Sequence, residues 1–321
     1  MNRLRRTLIS QMVLSPWLTA VPRAALSAVP VRIVVPYAAG SPTDVGVRQL
    51  VDAMRKQGGR NYLVDNRPGA GGTIGSAEVA RAKPDGNTLL ATTGGHVTNP
   101  AFYAKLPFDT ARDFTPIALI TSSPGFVLLV PAKSRYDTLE QLIAAARAKP
   151  GGLSYGSAGI GNTTHLVGAM FEKSLKLELL HVPYKGNALN DLVAGQVDMV
   201  FWGSSAAYQF VRSGQLKALA ITGPQRYAML PGVPTLEERG IRDVDAPAWA
   251  GVFGPAGMPA PLVEQLHRDI TAAQRDPAYV AQSEAAGRTI SSIPSAQFAV
   301  QVQRELDHYR KVLPSLGIRM E

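Results

Sequence analysis

The chain has 321 residues, no cysteine and a formal net charge of +9. That length implies about two domains whose cores need neither disulfide nor metal, and the missing thiols exclude a disulfide framework, a thiolate metal site and a cysteine nucleophile. Arg3, Arg5, Arg6 and Arg23 sit in residues 1–27, which hold no acid; the +5 left without these four is spread with no Lys/Arg run, which argues against nucleic-acid binding and leaves a mild field for anionic small molecules.

Met1–Arg6 is short and basic, Leu8 to Val21 is moderately apolar, and small residues follow at Ala24, Ala25, Ser27 and Ala28. This is the order of a secretory signal over residues 1–27, with cleavage after Ser27. The apolar run is too short and too interrupted for a membrane span. Arg5-Arg6 also fits the twin-arginine route.

Val31–Pro36 reads as a buried strand. The loop Tyr37-Ala38-Ala39-Gly40-Ser41-Pro42-Thr43-Asp44 follows, and Val47, Leu50, Val51 and Met54 then mark one helix face. Gly58-Gly59 stops that helix. A strand at Tyr62–Val64, the turn-rich Arg67–Gly72, a small-residue helix through Ala82 and a strand at Thr88–Thr92 complete the first half-pattern. It recurs as a strand at Phe126–Val130, a helix capped by Thr138, and a strand at Leu153–Tyr155. The loop Gly156–Asn162 then leads to a helix carrying Leu166, Val167, Met170 and Phe171. Further strands are expected at Leu179–Val182, Val197–Phe201 and Lys217–Ile221, and helices at Pro261–Gln274, Pro277–Ala286 and Ser295–Leu313. Strands alternating with helices, twice over, give an α/β class with two helix-wrapped parallel or mixed sheets.

Ligands of open α/β sheets bind beyond the carboxyl ends of the strands. Two strand–loop–helix junctions stand out. In the first, Thr43 or Asp44 can cap a helix whose free N–H groups favour an anion. In the second, Ser157, Ala158 and Gly159 lead to Asn162, Thr163 and Thr164 at a helix start, adding hydroxyl and amide donors. Each by itself also reads as a plain βα turn; both together, in separate half-chains, suit a cleft clamped from two sides. His165 either faces a cleft or is a buried histidine bonded to backbone. Asp198 either accepts a hydrogen bond from a ligand or braces a loop. Catalytic templates fail: the glycines miss the dinucleotide spacing, there is no Gly-Lys-Ser/Thr, and Ser157 has Tyr155 where a nucleophile elbow has glycine. None of the five histidines pairs at metal spacing, so no metal and no cofactor is expected.

Several strings, taken together, resemble the Bug family of periplasmic receptors of tripartite tricarboxylate transporters. They are Asp65–Gly75, Pro84-Asp85-Gly86, Asn99–Tyr103, Asp113–Ile117, Gly156–Gly159 with Asn162–Leu166, Val182–Gly186, Gly195–Asp198, Val233-Pro234-Thr235 and Trp249-Ala250-Gly251. The resemblance implies a two-lobed clamshell, with 28–123 and 225–321 as lobe 1 and 124–224 as lobe 2. Ser122–Gly125 and Gly223-Pro224 would form the hinge. It implies an exported, non-enzymatic protein that clamps a small organic carboxylate between Tyr37–Asp44 and Ser157–His165, with Asp198 and the Gly94–His96 stretch nearby. Transporter subunits in the membrane would be its partners. Gly94-Gly95 stands where the family often has hydroxyl residues, which makes room for a larger or flatter acid. Rival readings are a carboxylate-acting hydrolase or isomerase using Ser157 or His165, the sensing domain of a regulator, and an orphan receptor.

Overall fold

The computed structural model describes residues 30–312 except 59, 104, 161, 185, 186 and 247, together with Leu316. The expected signal segment lies outside the described residues. Lobe 1 is built on a six-stranded sheet of β1 (Val31–Val35), β2 (Tyr62–Asn66), β3 (Thr88–Thr93), β4 (Phe114–Ser122), β10 (Trp249–Pro255) and β11 (Thr289–Ile290), ordered β11-β4-β10-β3-β1-β2. Lobe 2 has five strands: β5 (Phe126–Pro131), β6 (Ser154–Ser157), β7 (Leu180–Pro183), β8 (Met199–Gly203) and β9 (Leu216–Ile221), ordered β7-β6-β8-β5-β9. In each lobe three parallel strands adjoin antiparallel ones, so both sheets are mixed.

The strands read as continuous apolar runs because both faces are covered. In β1, Val31, Ile33 and Val35 enter one core and Val34 the other; in β5, Val127 and Leu129 oppose Phe126, Leu128 and Val130. One face of the lobe 1 sheet carries α1 (Pro42–Lys56), α8 (Ala260–Ala273) and α9 (Pro277–Ala285), and α1 buries the expected Val47, Leu50, Val51 and Met54. The other carries α2 (Thr73–Ala80), α3 (Gly95–Phe102) and α10 (Ser295–Val312). In lobe 2 the helices are α4 (Leu139–Ala148), α5 (Thr163–Leu175), α6 (Leu189–Val193) and α7 (Ser204–Arg212).

Four elements escape the sequence reading: β4, β10, β11 and α3. Pro116 inside β4, Gly251 and Gly254 inside β10 and Pro100 inside α3 are breakers in isolation. Here β4 and β10 pair with each other at the centre of the sheet, with register shifts that absorb the irregular residues.

The lobe boundary at 224/225 is corrected. Gly223-Pro224 turns the chain back along lobe 2 instead of across. Ile221 N–H donates to Pro234 O (2.9 Å), Leu236 N–H donates to Ile221 O (2.8 Å), and Tyr227 is buried in the lobe 2 core. Ser174 Oγ on α5 still reaches Arg242 O (2.9 Å). The return to lobe 1 comes near Asp245–Ala248, where Ser123 N–H donates to Ala248 O (2.6 Å). The expected hinge glycines nevertheless lie together: a β-carbon on Gly125 (φ 149°) would sit 2.4 Å from Thr222 O, and one on Gly223 (φ 85°) 2.4 Å from Pro124 O.

Candidate functional site

The loop after β1 is held from three sides. Tyr37 OH bonds Thr93 Oγ1 (2.7 Å) and Thr92 Oγ1 (3.3 Å) at the end of β3, and Asn66 Nδ2 donates to Tyr37 O (3.1 Å). Ala38, Ala39 and Gly40 form an exposed turn closed by Ser41 N–H to Ala38 O (3.1 Å), with Gly40 left-handed at φ 79°. The helix cap is Ser41, not Thr43 or Asp44: Ser41 Oγ accepts from Asp44 N–H (3.3 Å), and Pro42 starts the helix where its missing N–H costs nothing. The Thr43 amide lies in that first turn, where a helix has no internal acceptor to offer.

Asp44, expected as a ligand contact, is 2 % exposed. Its carboxylate accepts from Gly40 N–H (2.8 Å), Asn66 Nδ2 (2.9 Å) and Arg48 Nε (3.0 Å). Burial works to raise its pKa, but the bonds from Arg48, Gly40 and Asn66 outweigh it and hold the group below the usual carboxylate range. Asp44 staples the loop to its helix.

The second loop follows β6. Asn162 caps α5 by accepting from Thr164 N–H (3.0 Å). Thr164 Oγ1 accepts from Ala158 N–H (2.8 Å) and donates to Asn162 Oδ1 (3.1 Å). Ser157 has no exposed surface; its Oγ lies 2.7 Å from His181 Nε2 and accepts from Gly159 N–H (3.2 Å). The hydroxyls of Ser157 and Thr164 thus tie the loop together from within. Under them His165 and His181 stack face to face, with centroids 3.9 Å apart and planes within 3°, and Tyr155 stacks on His181 at 4.8 Å. Burial, then His181 beside it, holds His165 down to about 4, and burial lowers His181 too. Two neutral imidazoles, not a charged pair, form this floor at neutral pH.

The two loops meet at Gly95. A β-carbon there would lie 3.9 Å from both Thr163 Oγ1 of lobe 2 and Tyr37 OH of lobe 1. Thr163, 9 % exposed, is thus the α5 hydroxyl aimed across the cleft, and the lobes are closed at this point. Gly94 donates its N–H to Trp249 O (3.1 Å).

Two expected contacts are elsewhere. His96 is 1 % exposed and packs among Phe108, Phe114 and Phe253, with centroids 5.9, 4.6 and 5.0 Å away. Burial holds it down to about 3, a neutral ring in an apolar pocket. Asp198 lies at the opposite end of the lobe 2 sheet from Ser157, where its carboxylate accepts from Ser154 N–H (2.8 Å) and Oγ (2.9 Å). The strand that separates Ser154 from Ser157 keeps it from the cleft. Residues to which the sequence reading assigned no part in the site include His181, Asn66 and Thr93. His181 had a signal, since it precedes the noted Val182-Pro183-Tyr184. Its partnership with Ser157 needs β7 to pair with β6.

A cavity of about 530 Å³ lies beside the hinge, lined by Ser123, Gly125, Gly223, Trp249 and Glu305 among others, and neither loop bounds it. Among the described residues there is no group of three or more His, Cys, Asp or Glu placed to hold a metal ion, and no helix long and apolar enough to cross a membrane.

A UPF0065 protein of Pseudomonas sp. (strain P51) is 38 % identical over 288 residues, covering 88 % of this chain and 85 % of that one. The malate-bound MatC of Rhodopseudomonas palustris superposes with a TM-score of 0.80 at 31 % identity, covering 88 % of this chain and 98 % of that one. An adipate-bound protein of R. palustris does so with a TM-score of 0.82 at 29 % identity, covering 91 % and 98 %. The family model for the tripartite tricarboxylate transporter family receptor matches residues 46–318. With that match spanning both lobes and the two loops of the cleft folded as described, the chain belongs to the tripartite tricarboxylate transporter receptor family.

Proposed function

We propose that this protein is an exported periplasmic receptor that captures a small organic dicarboxylate between its lobes and presents it to transporter subunits in the membrane. The observation that carries this reading is the meeting of Tyr37 OH, Gly95 and Thr163 Oγ1 across the lobe boundary, beside the first turns of α1 and α5. Helix N-termini and hydroxyl donors hold a carboxylate without a cationic side chain. The malate and adipate of the two related structures set the chemical class to test. Gly95 leaves Thr163 and Tyr37 with no side chain between them.

Calorimetry with four- to six-carbon dicarboxylates tests the proposal. Thr163→Val removes a donor to a charged group, a bond of about 1.5–3 kcal/mol, so affinity falls about tenfold or more. Unchanged affinity in that variant places the site elsewhere. N-terminal sequencing of the exported form checks the leader: a start near Ala28 is expected, and an intact Met1 in that fraction refutes export by cleavage.

A second reading rests on the Ser157–His181 pair, a hydroxyl and an imidazole at hydrogen-bond distance. Ser157 Oγ has no route to an acyl substrate while the residue is wholly buried, so binding is the stronger reading. A fluorophosphonate probe should leave Ser157 unlabelled; stoichiometric labelling would establish a hydrolase instead.

A further inference from the structure

The chain's return to lobe 1 ends at Trp249, where three parts of the molecule meet. Ser123 N–H of the outward crossing donates to Ala248 O (2.6 Å), and Gly94 N–H beside the cleft donates to Trp249 O (3.1 Å). The Gly94 bond lies one residue past the ladder between β3 and β10, whose last pair is Thr93 with Ala250. Just beyond, a register shift between Ala250 and Gly251 interrupts the pairing of β10 with β4. The sheet alone therefore holds this strand end weakly. The side chain anchors it: the indole packs on Phe298 and Phe253, with centroids 5.5 and 6.1 Å away, and Nε1–H donates to Glu305 Oε2 on α10 (2.8 Å). Glu305 Oε1 accepts from Gln301 Nε2 (2.9 Å). Burial raises the Glu305 carboxyl, and the bonds from Trp249 and Gln301 oppose that shift.

A carboxylate is a costly way to pack a helix on a sheet, since an apolar side chain does so without losing hydration. What the carboxylate adds is direction. An indole has one donor, and holding that donor fixes the ring and the strand end that carries it. We infer that Glu305 is a positioning residue for solute capture: through the Trp249 indole it holds the carbonyl that binds Gly94, and so keeps Gly95 between Tyr37 and Thr163. The inference rests on the cleft reading given above. Glu305 lines the hinge cavity, which neither solute loop bounds, so its effect on the solute passes through Trp249.

Glu305→Met keeps the length of the side chain and removes the acceptor. Glu305→Gln keeps an acceptor, and Gln301 can turn its amide to match. The sequence has two Thr–Gly pairs, at Gly94 and Gly223, so threonine labelled at its carbonyl carbon and glycine labelled at nitrogen isolate the Gly94 amide by NMR in the full exported chain. Without solute, that amide should exchange with deuterium about threefold or more faster in Glu305→Met, and at the wild-type rate in Glu305→Gln. Calorimetry with malate and adipate should follow the same pattern, with affinity about threefold or more weaker in the first variant and restored in the second. Trp249→Phe removes the donor and should match Glu305→Met, and the two substitutions together should lose no more than either alone. If Glu305→Met does not fold, Trp249→Phe is read in its place. Equal Gly94 exchange in the Met and Gln variants overturns the inference. So does unchanged affinity where exchange has quickened, or a double variant that sums both losses. A wild type that binds neither acid would instead sink the dicarboxylate reading, and Gly94 exchange would still decide this one.

Discussion

Replacing Gly168 by alanine sets two effects of known sign against each other. Gly168 is a helical glycine in α5, so alanine there gains about 0.8–1.0 kcal/mol of intrinsic helix stability. Its new β-carbon would meet the Tyr155 ring at 2.3 Å (Cε2), 2.7 Å (Cδ2) and 3.0 Å (Cζ), well inside the optimal carbon contact of about 3.5–4.0 Å. Tyr155 is 1 % exposed and stacked on His181, which in turn holds Ser157, so the ring cannot swing aside cheaply. Overpacking of a filled core costs about 1–3 kcal/mol, and with three ring atoms in conflict the upper end applies. Net destabilisation of about 1–2 kcal/mol follows, together with weaker solute binding, because the displaced ring pushes on the floor of the second loop. Urea unfolding measures the first and calorimetry the second. In a Tyr155→Leu background the same substitution should be neutral or stabilising, a coupling that only contacting residues show. A Gly168→Ala protein that gains about 1 kcal/mol and binds unchanged would refute the reasoning.

Two further outcomes test other parts of the structure. Unfolded chains protonate His96 below about pH 6.5, whereas the native ring resists down to about 3. Stability is therefore full above about 6.5 and falls with pH below it, by about 2 kcal/mol at pH 5 from this residue. His96→Phe, matched to its phenylalanine pocket, should abolish that share of the loss in urea titrations at pH 7.5 and 5 and leave solute affinity unchanged; lost affinity would return His96 to the cleft. The lobes are also joined where Gly287 O accepts from Ser205 Oγ (2.8 Å) and Tyr227 OH (2.6 Å). Ser205→Ala with Tyr227→Phe removes both bonds, about 1 kcal/mol each, so affinity should fall severalfold and small-angle scattering should show a larger radius of gyration at half-saturation. No change in either would mean that this contact is a pivot kept in both open and closed forms.

Local chemistry made much of the protein readable before folding was considered. The apolar runs of β1 and β5, the face of α1 and the Thr138 cap of α4 depend on neighbours a few residues away, and they appear where the pattern puts them. The two loops were visible for the same reason, since small residues beside a helix start have a local meaning. What each loop residue does was not visible. Ser157 looks like a ligand donor until β7 brings His181 beside it, and Asp44 looks like a helix cap until Arg48, Asn66 and Gly40 surround it. Thr163 and Ser157 read alike in sequence; only the packing of one lobe against the other separates the hydroxyl that faces the cleft from the one that is buried. His96 sits next to the cleft in sequence and inside an aromatic pocket in space, because α3, hidden by Pro100, turns its ring inward. The sequence alone determined the class of fold, the two half-patterns and the family, all of which rest on local propensity and short motifs. The tertiary structure decided the lobe boundary near Asp245–Ala248 and the roles of the loop residues, because these depend on strand pairings and buried contacts between residues distant along the chain.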